Sequence, residues 1–168
     1  MQQSNHAQSD VAALLDRLVA EAIPNEHGLR AWHSLVRAHA TLMRRLATHL
    51  VDEIGLTLGD FDVLAQLGRA GGELRMSELA AQAYSSRSGM TRRIDRLVDD
   101  GFVARANSDA DGRGVVVALT EAGLARLAEA APVHLRQVRE LFVAKLTDVE
   151  LSTLASALDK VAVDCTFG

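Results

Sequence analysis

Four arginines, Arg87, Arg92, Arg93 and Arg96, stand close together in a chain whose formal net charge is −4, and only Asp95 opposes them in that stretch. Ser88, Gly89 and Thr91 are interleaved with them, and Ser86 stands just before. A guanidinium takes a phosphate or a guanine edge bidentately, and a Ser or Thr hydroxyl serves either phosphate or base. Gly89 lets a backbone approach a groove edge closely. Alone, such a cluster is as often a solvated basic helix face. A second group lies further on, where Asp111 precedes Arg113 in a polar stretch. An arginine at an exposed tip can enter a narrow minor groove, where negative potential concentrates, and Asp111 is placed to hold it. The bland alternative is a surface ion pair worth little.

The elements that would carry these groups follow from apolar spacing. Met90, Ile94 and Leu97 are spaced 4 and 3, which predicts a helix from about Arg87 to Asp100 with Arg87, Ser88, Thr91, Arg92 and Asp95 off its buried side. Ser85 or Ser86 is a fitting N-cap, and Gly101 a fitting C-terminal stop. A short helix from about Ser77 to Ala83 precedes it, across the turn Tyr84-Ser85-Ser86. The period then switches. Phe102 to Ala106 and Val115 to Leu119 read as two strands of a hairpin, joined by the polar loop Asn107 to Gly114.

Longer helices flank this unit. From about Leu29 to Ile54, the residues Trp32, Val36, His39, Met43, Leu46 and Leu50 are spaced 4, 3, 4, 3 and 4. Leu124, Ala128, Ala131, Leu135, Val138 and Phe142 repeat that spacing, with Pro132 predicting a kink. A 3.5-residue period describes a narrow seam for another helix. Thr57 with Asp60 resembles a capping box opening a helix that turns Phe61, Leu64 and Leu67 inward. Thr120 caps the second seamed helix, and Thr147 with Glu150 opens a last one bearing Leu151, Leu154, Leu158 and Val161. Val11 to Ala22 reads as a short extension helix, broken by Pro24, Asn25 and Gly28.

Composition excludes several classes. With 48% hydrophobic and 24% charged residues the chain is in the ordinary globular range. No apolar run approaches the roughly 20 residues that span a bilayer, so no membrane partner is expected. The polar N-terminus and the single cysteine, Cys165, make a cytoplasmic location the default expectation. No Gly-rich phosphate loop, paired-carboxylate motif or nucleophile elbow appears, so neither catalytic residues nor a cofactor is expected. The six histidines form no cluster with metal-ligand spacing. Cys165 has no basic neighbour to lower its pKa, which argues against a redox sensor.

A short helix, a tight turn, a basic amphipathic helix and a hairpin together form the unit that presents one helix to a DNA major groove. Here the sequence resembles the MarR family of bacterial regulators. The resemblance rests on the run Ser85 to Leu97, on Asp100-Gly101-Phe102-Val103, on Asp111-Gly112-Arg113-Gly114 and on Leu119-Thr120-Glu121-Ala122-Gly123, and extends from about Leu29 to Val161. Ala31-Trp32, Arg37-Ala38-His39 and Ala131-Pro132-Val133-His134 are similar to a branch common in high-GC bacteria.

The resemblance implies a mainly α fold: a winged helix-turn-helix with a β-hairpin wing, flanked by long N- and C-terminal helices that form a dimerisation region. Residues 1–28 are then a tail and extension helix, 29–56 with 120–168 the dimerisation region, and 57–119 the DNA-binding lobe. The implied partners are double-stranded DNA, a second copy of the chain and a small-molecule effector, which in many relatives is an aromatic or phenolic acid. Ser86, Arg87, Ser88, Gly89, Thr91, Arg92, Arg93, Arg96, Asp111 and Arg113 are the expected DNA contacts. Trp32, His39 and His134 are candidates for an effector pocket, with Arg37, Asp62 and Arg139 as further candidates; the histidines are equally explained as core residues satisfied by backbone or carboxylate. The extension helix carries no tryptophan, which argues against the urate specificity of some relatives. The competing reading is a helical dimeric interaction protein that has the winged fold and no sequence-specific DNA binding; missing basic residues on the recognition helix and wing would be its mark.

Overall fold

The computed structural model describes residues 13–23, 25–82, 87–107 and 115–164. The chain divides into two compact units, Met1–Met43 and Arg44–Gly168. In the first, helix α1 covers residues 13–22 and is followed by the start of α2 (Glu26–Ile54), which continues into the second. The second unit continues with α3 (Leu58–Arg69), β1 (Glu73–Arg75), α4 (Met76–Gln82), α5 (Arg87–Asp99), β2 (Val103–Asn107), β3 (Val115–Leu119), α6 (Glu121–Leu141), a 3-10 turn at Val143–Lys145 and α7 (Asp148–Asp164). No helix of the described residues is long and apolar enough to cross a membrane.

Helix α2 begins three residues before the expected start. The Asn25 side chain accepts the His27 N–H at 2.9 Å, so Asn25 starts the helix rather than ending the previous segment, and Gly28 lies inside it. Thr57 caps α3: its hydroxyl oxygen accepts the Asp60 N–H at 3.2 Å while its O–H donates to Asp60 Oδ2 at 2.6 Å. Thr120 does the same for α6, accepting the Gly123 N–H at 3.0 Å, and α6 runs on through Pro132. At α7 the Thr147–Glu150 capping box forms, with the Thr147 N–H donating to Glu150 Oε2 at 2.8 Å. The Thr147 N–H and hydroxyl together hold the Glu150 carboxyl below its usual pKa.

The core of the second unit assembles around α5. Met90, Ile94 and Leu97 are fully buried against Leu64 and Leu67 of α3, Leu79 of α4, Val103 of β2 and Val117 of β3, with Leu50 of α2 and Ala130 of α6 in the same cluster. At the end of α5, Gly101 takes φ 76°, and the Phe102 N–H returns to the Leu97 carbonyl at 2.9 Å. That left-handed C-terminal turn sends the chain directly into β2.

The sheet has three antiparallel strands, ordered β1-β3-β2, rather than the two of the hairpin. Leu74 of β1 and Arg105 of β2 both face Val117 in register. Strand β1 has three residues, too few for alternation to declare it, and only pairing with β3 makes it a strand.

The seams divide. In α2, Leu46 and Leu50 close onto the core, whereas Trp32, Val36 and Met43 stay exposed. In α6 the packed stripe is Gly123, Leu127, Ala130, His134 and Gln137, whereas Leu124 and Leu135 of the expected seam are 57% and 61% exposed. Two of the six residues of the predicted α2 seam are thus filled within the chain, and α6 packs on the neighbouring stripe instead.

Candidate nucleic-acid interface

Helix α5 has two sides with different chemistry. Its inner side is the Met90, Ile94, Leu97 stripe, each at 0% exposure. Thr91, Arg92 and Asp95 are exposed on the outer side, and Gly89 is half-buried. Arg87 and Ser88 stand in its first turn. The expected contacts Ser86, Asp111 and Arg113 lie outside the described residues, as do the turn residues Tyr84 and Ser85.

Arg93 and Arg96 are placed differently from Arg92. Both turn toward α3, where Asp60 is buried at 4% exposure. Arg96 Nη2 donates to Asp60 Oδ1 at 2.6 Å, while Arg93 Nε lies 3.5 Å from the same oxygen. The first is a charge-assisted hydrogen bond and the second a charge contact beyond good hydrogen-bond length. Arg93 lies across the first turn of α3 because Gly59 has no side chain there: a Cβ at that position would come within 2.6 Å of Arg93 Cζ. Asp60 therefore does three jobs. It completes the α3 cap with Thr57 and fixes two arginines of α5, setting the angle at which α5 is held. Sequence reasoning found the cap and missed the ion pair, which spans 36 positions. Its available signal was two arginines three residues apart near the C-terminus of a predicted helix.

The base of the wing is joined to α5 as well. Arg105 Nη1 of β2 lies 2.7 Å from Asp95 Oδ1. The Thr120 hydroxyl donates to the Gly101 carbonyl at 2.7 Å. Arg126 of α6 donates to the Ile54 carbonyl at the end of α2, and its guanidinium stands 6.0 Å from the centre of the Phe102 ring. The helix, the strands and α6 are thus fixed to one another by charge and by caps.

The fold is the one found in solved regulators. The MarR family model matches residues 54–114, from the end of α2 to just before β3. The structure of AbsC, a MarR family transcriptional regulator from Streptomyces coelicolor, aligns with a TM-score of 0.78 at 30% identity, covering 83% of this chain and 95% of that one. The chain belongs to the MarR family. Sco3205, a MarR family regulator of the same organism solved in complex with DNA, aligns with a TM-score of 0.77 at 29% identity over 82% of this chain and 87% of that one. The repressor YetL of Bacillus subtilis strain 168 is 32% identical over 57% of this chain and 58% of its own length. The MarR family is one of DNA-binding transcriptional regulators, not of enzymes, and the winged helix-turn-helix expected from the sequence is the fold observed.

The effector candidates fall in both units. Trp32, Arg37 and His39 are exposed on α2 in the first. In the second, the His134 ring lies 4.5 Å from the Phe61 ring, centre to centre. Asp62 accepts the Gln66 amide at 2.7 Å. Burial lowers the His134 pKa, which Asp62 partly restores and Arg69 lowers further. His134 Nδ1 and Gln66 Oε1 are both buried without a hydrogen-bond partner among the described residues. Arg139 is exposed on α6. Among the described residues no group of three His, Cys, Asp or Glu stands ready for a metal, and Cys165 is outside them.

Proposed function

We propose that this MarR family regulator is a repressor that binds a pseudo-palindromic operator as a homodimer and leaves it when a small aromatic acid binds. The carrying observation is the two-sidedness of α5: a fully buried inner stripe, Arg93 and Arg96 turned to Asp60, and an outer side on which Thr91 and Arg92 are exposed. A helix held this firmly presents its outer residues to a major groove at a set depth. Sco3205 binding DNA on a similar fold, and YetL acting as a repressor, favour the same reading. In it, residues 57–119 are the DNA lobe, while 29–56 and 120–168 pair with those of a second copy. Arg87, Ser88, Gly89, Thr91 and Arg92, with Ser86 before them, serve the groove and its phosphates. Arg93 and Arg96 contribute by holding the helix and add positive charge beside it. Asp111 and Arg113 serve the minor groove.

An effector is supported by the unsatisfied polar atoms at His134 and Gln66. His134 Nδ1, on a ring packed against Phe61, and Gln66 Oε1 are buried without partners among the described residues and cost free energy as they stand. A planar ligand carrying a hydroxyl and an acid group would satisfy them, with Arg139 a further candidate in the same unit; Trp32, Arg37 and His39 are candidates in the first unit. The test is a pair of substitutions read by operator titration. Arg92→Ala is expected to cost about 1–3 kcal/mol at the half-site and to relax its sequence preference. Arg113→Ala is expected to weaken binding most where the flanks are AT-rich. Unchanged binding in both would remove the docking scheme and leave the interaction-protein reading.

A further inference from the structure

Helix α2 ends without a cation of its own. Its last turn holds no basic residue, and Asp52 and Glu53 stand there instead, beside carbonyls that no further turn can satisfy. The cation comes from another element: Arg126, in the second turn of α6, donates through Nη2 to the Ile54 carbonyl across 72 positions of sequence. Its side chain is only 22% exposed, so the contact is largely removed from water. Nη1 holds Glu129 Oε2 at 2.7 Å, which anchors the guanidinium from its solvent side.

The same guanidinium stands over Phe102, 6.0 Å from the ring centre, at the outer limit of a cation–π contact. Phe102 is a junction. Its N–H returns to the Leu97 carbonyl at 2.9 Å and closes α5. Its carbonyl accepts the Thr120 N–H and the Thr120 hydroxyl, each at 3.1 Å, which ties it to the cap of α6. A Cβ on Gly123 would come within 1.9 Å of that carbonyl, so the first turn of α6 lies directly on it. Arg126 therefore reaches from the end of α2 to the residue where α5, β2 and α6 meet.

These contacts lie where the chain enters and leaves residues 57–119. Entry is through Gly55 and Leu56, and Gly55 takes φ 72°; a glycine there leaves the backbone free to take other directions. Exit is through Thr120. Arg136 also joins α6 to α2, through Glu53, but those side chains are 44% and 40% exposed, where such a pair contributes little. We propose that Arg126 is a positioning residue for DNA binding: by locking entry to exit, it sets the angle at which the winged lobe stands on the ends of α2 and α6. The proposal rests on the reading that two copies hold one operator, since the angle of each lobe then sets the distance between two recognition helices. A dimer of fixed lobes matches half-sites at one spacing.

The test uses the full-length protein, a duplex that it selects from random DNA, and the same duplex with one base pair inserted at its centre. The insertion moves the half-sites apart by about 3.4 Å and turns them by roughly 35°. The native protein should bind the inserted duplex at least about tenfold more weakly. Arg126→Gln should bind the original duplex at least about fivefold more weakly than the native protein does, yet lose less than about threefold on insertion. Val63→Ala, which loosens the buried core away from this joint, should keep the native penalty. Should Arg126→Gln fail to fold by circular dichroism, Arg126→Lys, which keeps the charge and one donor group, is read instead, and its penalty should also fall below the native one. A native penalty that survives in the Arg126 variant, or that Val63→Ala reduces equally, overturns the proposal alone. A native protein that selects no duplex, or is indifferent to the insertion, removes the two-copy reading and the proposal with it.

Discussion

The winged lobe and the long helices solve the burial of apolar residues in opposite ways. Around α5 every large apolar side chain of the inner stripe finds partners within the chain: Leu64, Leu67, Leu79, Met90, Ile94, Leu97 and Val117 all stand at 0% exposure. On α6 and α7 the opposite holds, with Leu124, Leu135, Val149 and Val161 all more than half exposed. Both regions carry apolar residues at helical spacing, so periodicity alone cannot tell a finished core from an unfinished one. A lobe that closes on itself can be presented to DNA as a rigid body. Helices with open seams leave apolar area exposed, and in the proposed dimer a second copy would cover it.

That contrast is broken most severely in the lobe. Leu64→Ala or Ile94→Ala removes fully buried volume at the centre of the cluster and is expected to cost about 2–5 kcal/mol, read as a lower denaturation midpoint. A cost under about 1 kcal/mol would mean that the core is looser than its burial indicates.

The seam is the sharper test. Leu135→Glu places a charge in the middle of the open α6 stripe, where no described neighbour is disturbed. It is expected to weaken self-association about a hundredfold (roughly 2.7 kcal/mol) by sedimentation, while the helical signal is retained. In the native protein the unfolding midpoint should rise with protein concentration, as linkage to a dimer requires, and in the variant it should not. A variant that sediments as the native protein does would show that this stripe faces solvent in solution.

Asp60→Asn leaves the α3 cap partly intact and removes the charge that holds Arg93 and Arg96. Asp60 is buried, but Arg96 is half exposed, so the loss is smaller than for a fully enclosed pair: about 1–2 kcal/mol. Operator affinity should fall further than stability does, because the angle of α5 is no longer fixed. Equal losses would make Asp60 a simple structural residue.

The smallest effect concerns pH. His134 has its pKa lowered, chiefly by burial, so the folded state favours the neutral ring. The unfolded chain binds that proton near the ordinary value of about 6.5, so stability is complete above that pH and declines as pH falls below it. His134→Gln should flatten the slope of stability between about pH 5 and 6.5. An unchanged slope would assign the acid sensitivity to another group.

Much of the lobe was legible because its signals are local. Met90, Ile94 and Leu97 announce the inner side of α5 by spacing, and Gly101, Thr120 and the Thr147–Glu150 pair mark ends that depend on neighbours within a few positions. What sequence missed depends on distant partners. Strand β1 exists through its pairing with β3, and Asp60 meets Arg96 across 36 positions. The packed stripe of α6 was hidden for another reason: Gly123, Ala130, His134 and Gln137 are small or polar, so hydrophobic periodicity pointed to the neighbouring stripe instead. The exposed side of α5 could be derived from sequence, whereas the pairing of Arg93 and Arg96 with Asp60 could not.

The most direct measurement of the central claim is titration of the purified protein onto the DNA upstream of its own gene, at several salt concentrations and against random competitor. The account predicts tight binding by two chains per site that survives competitor and falls steeply with salt. Binding no stronger than to random DNA at every salt concentration, or a single chain at saturation, would contradict it.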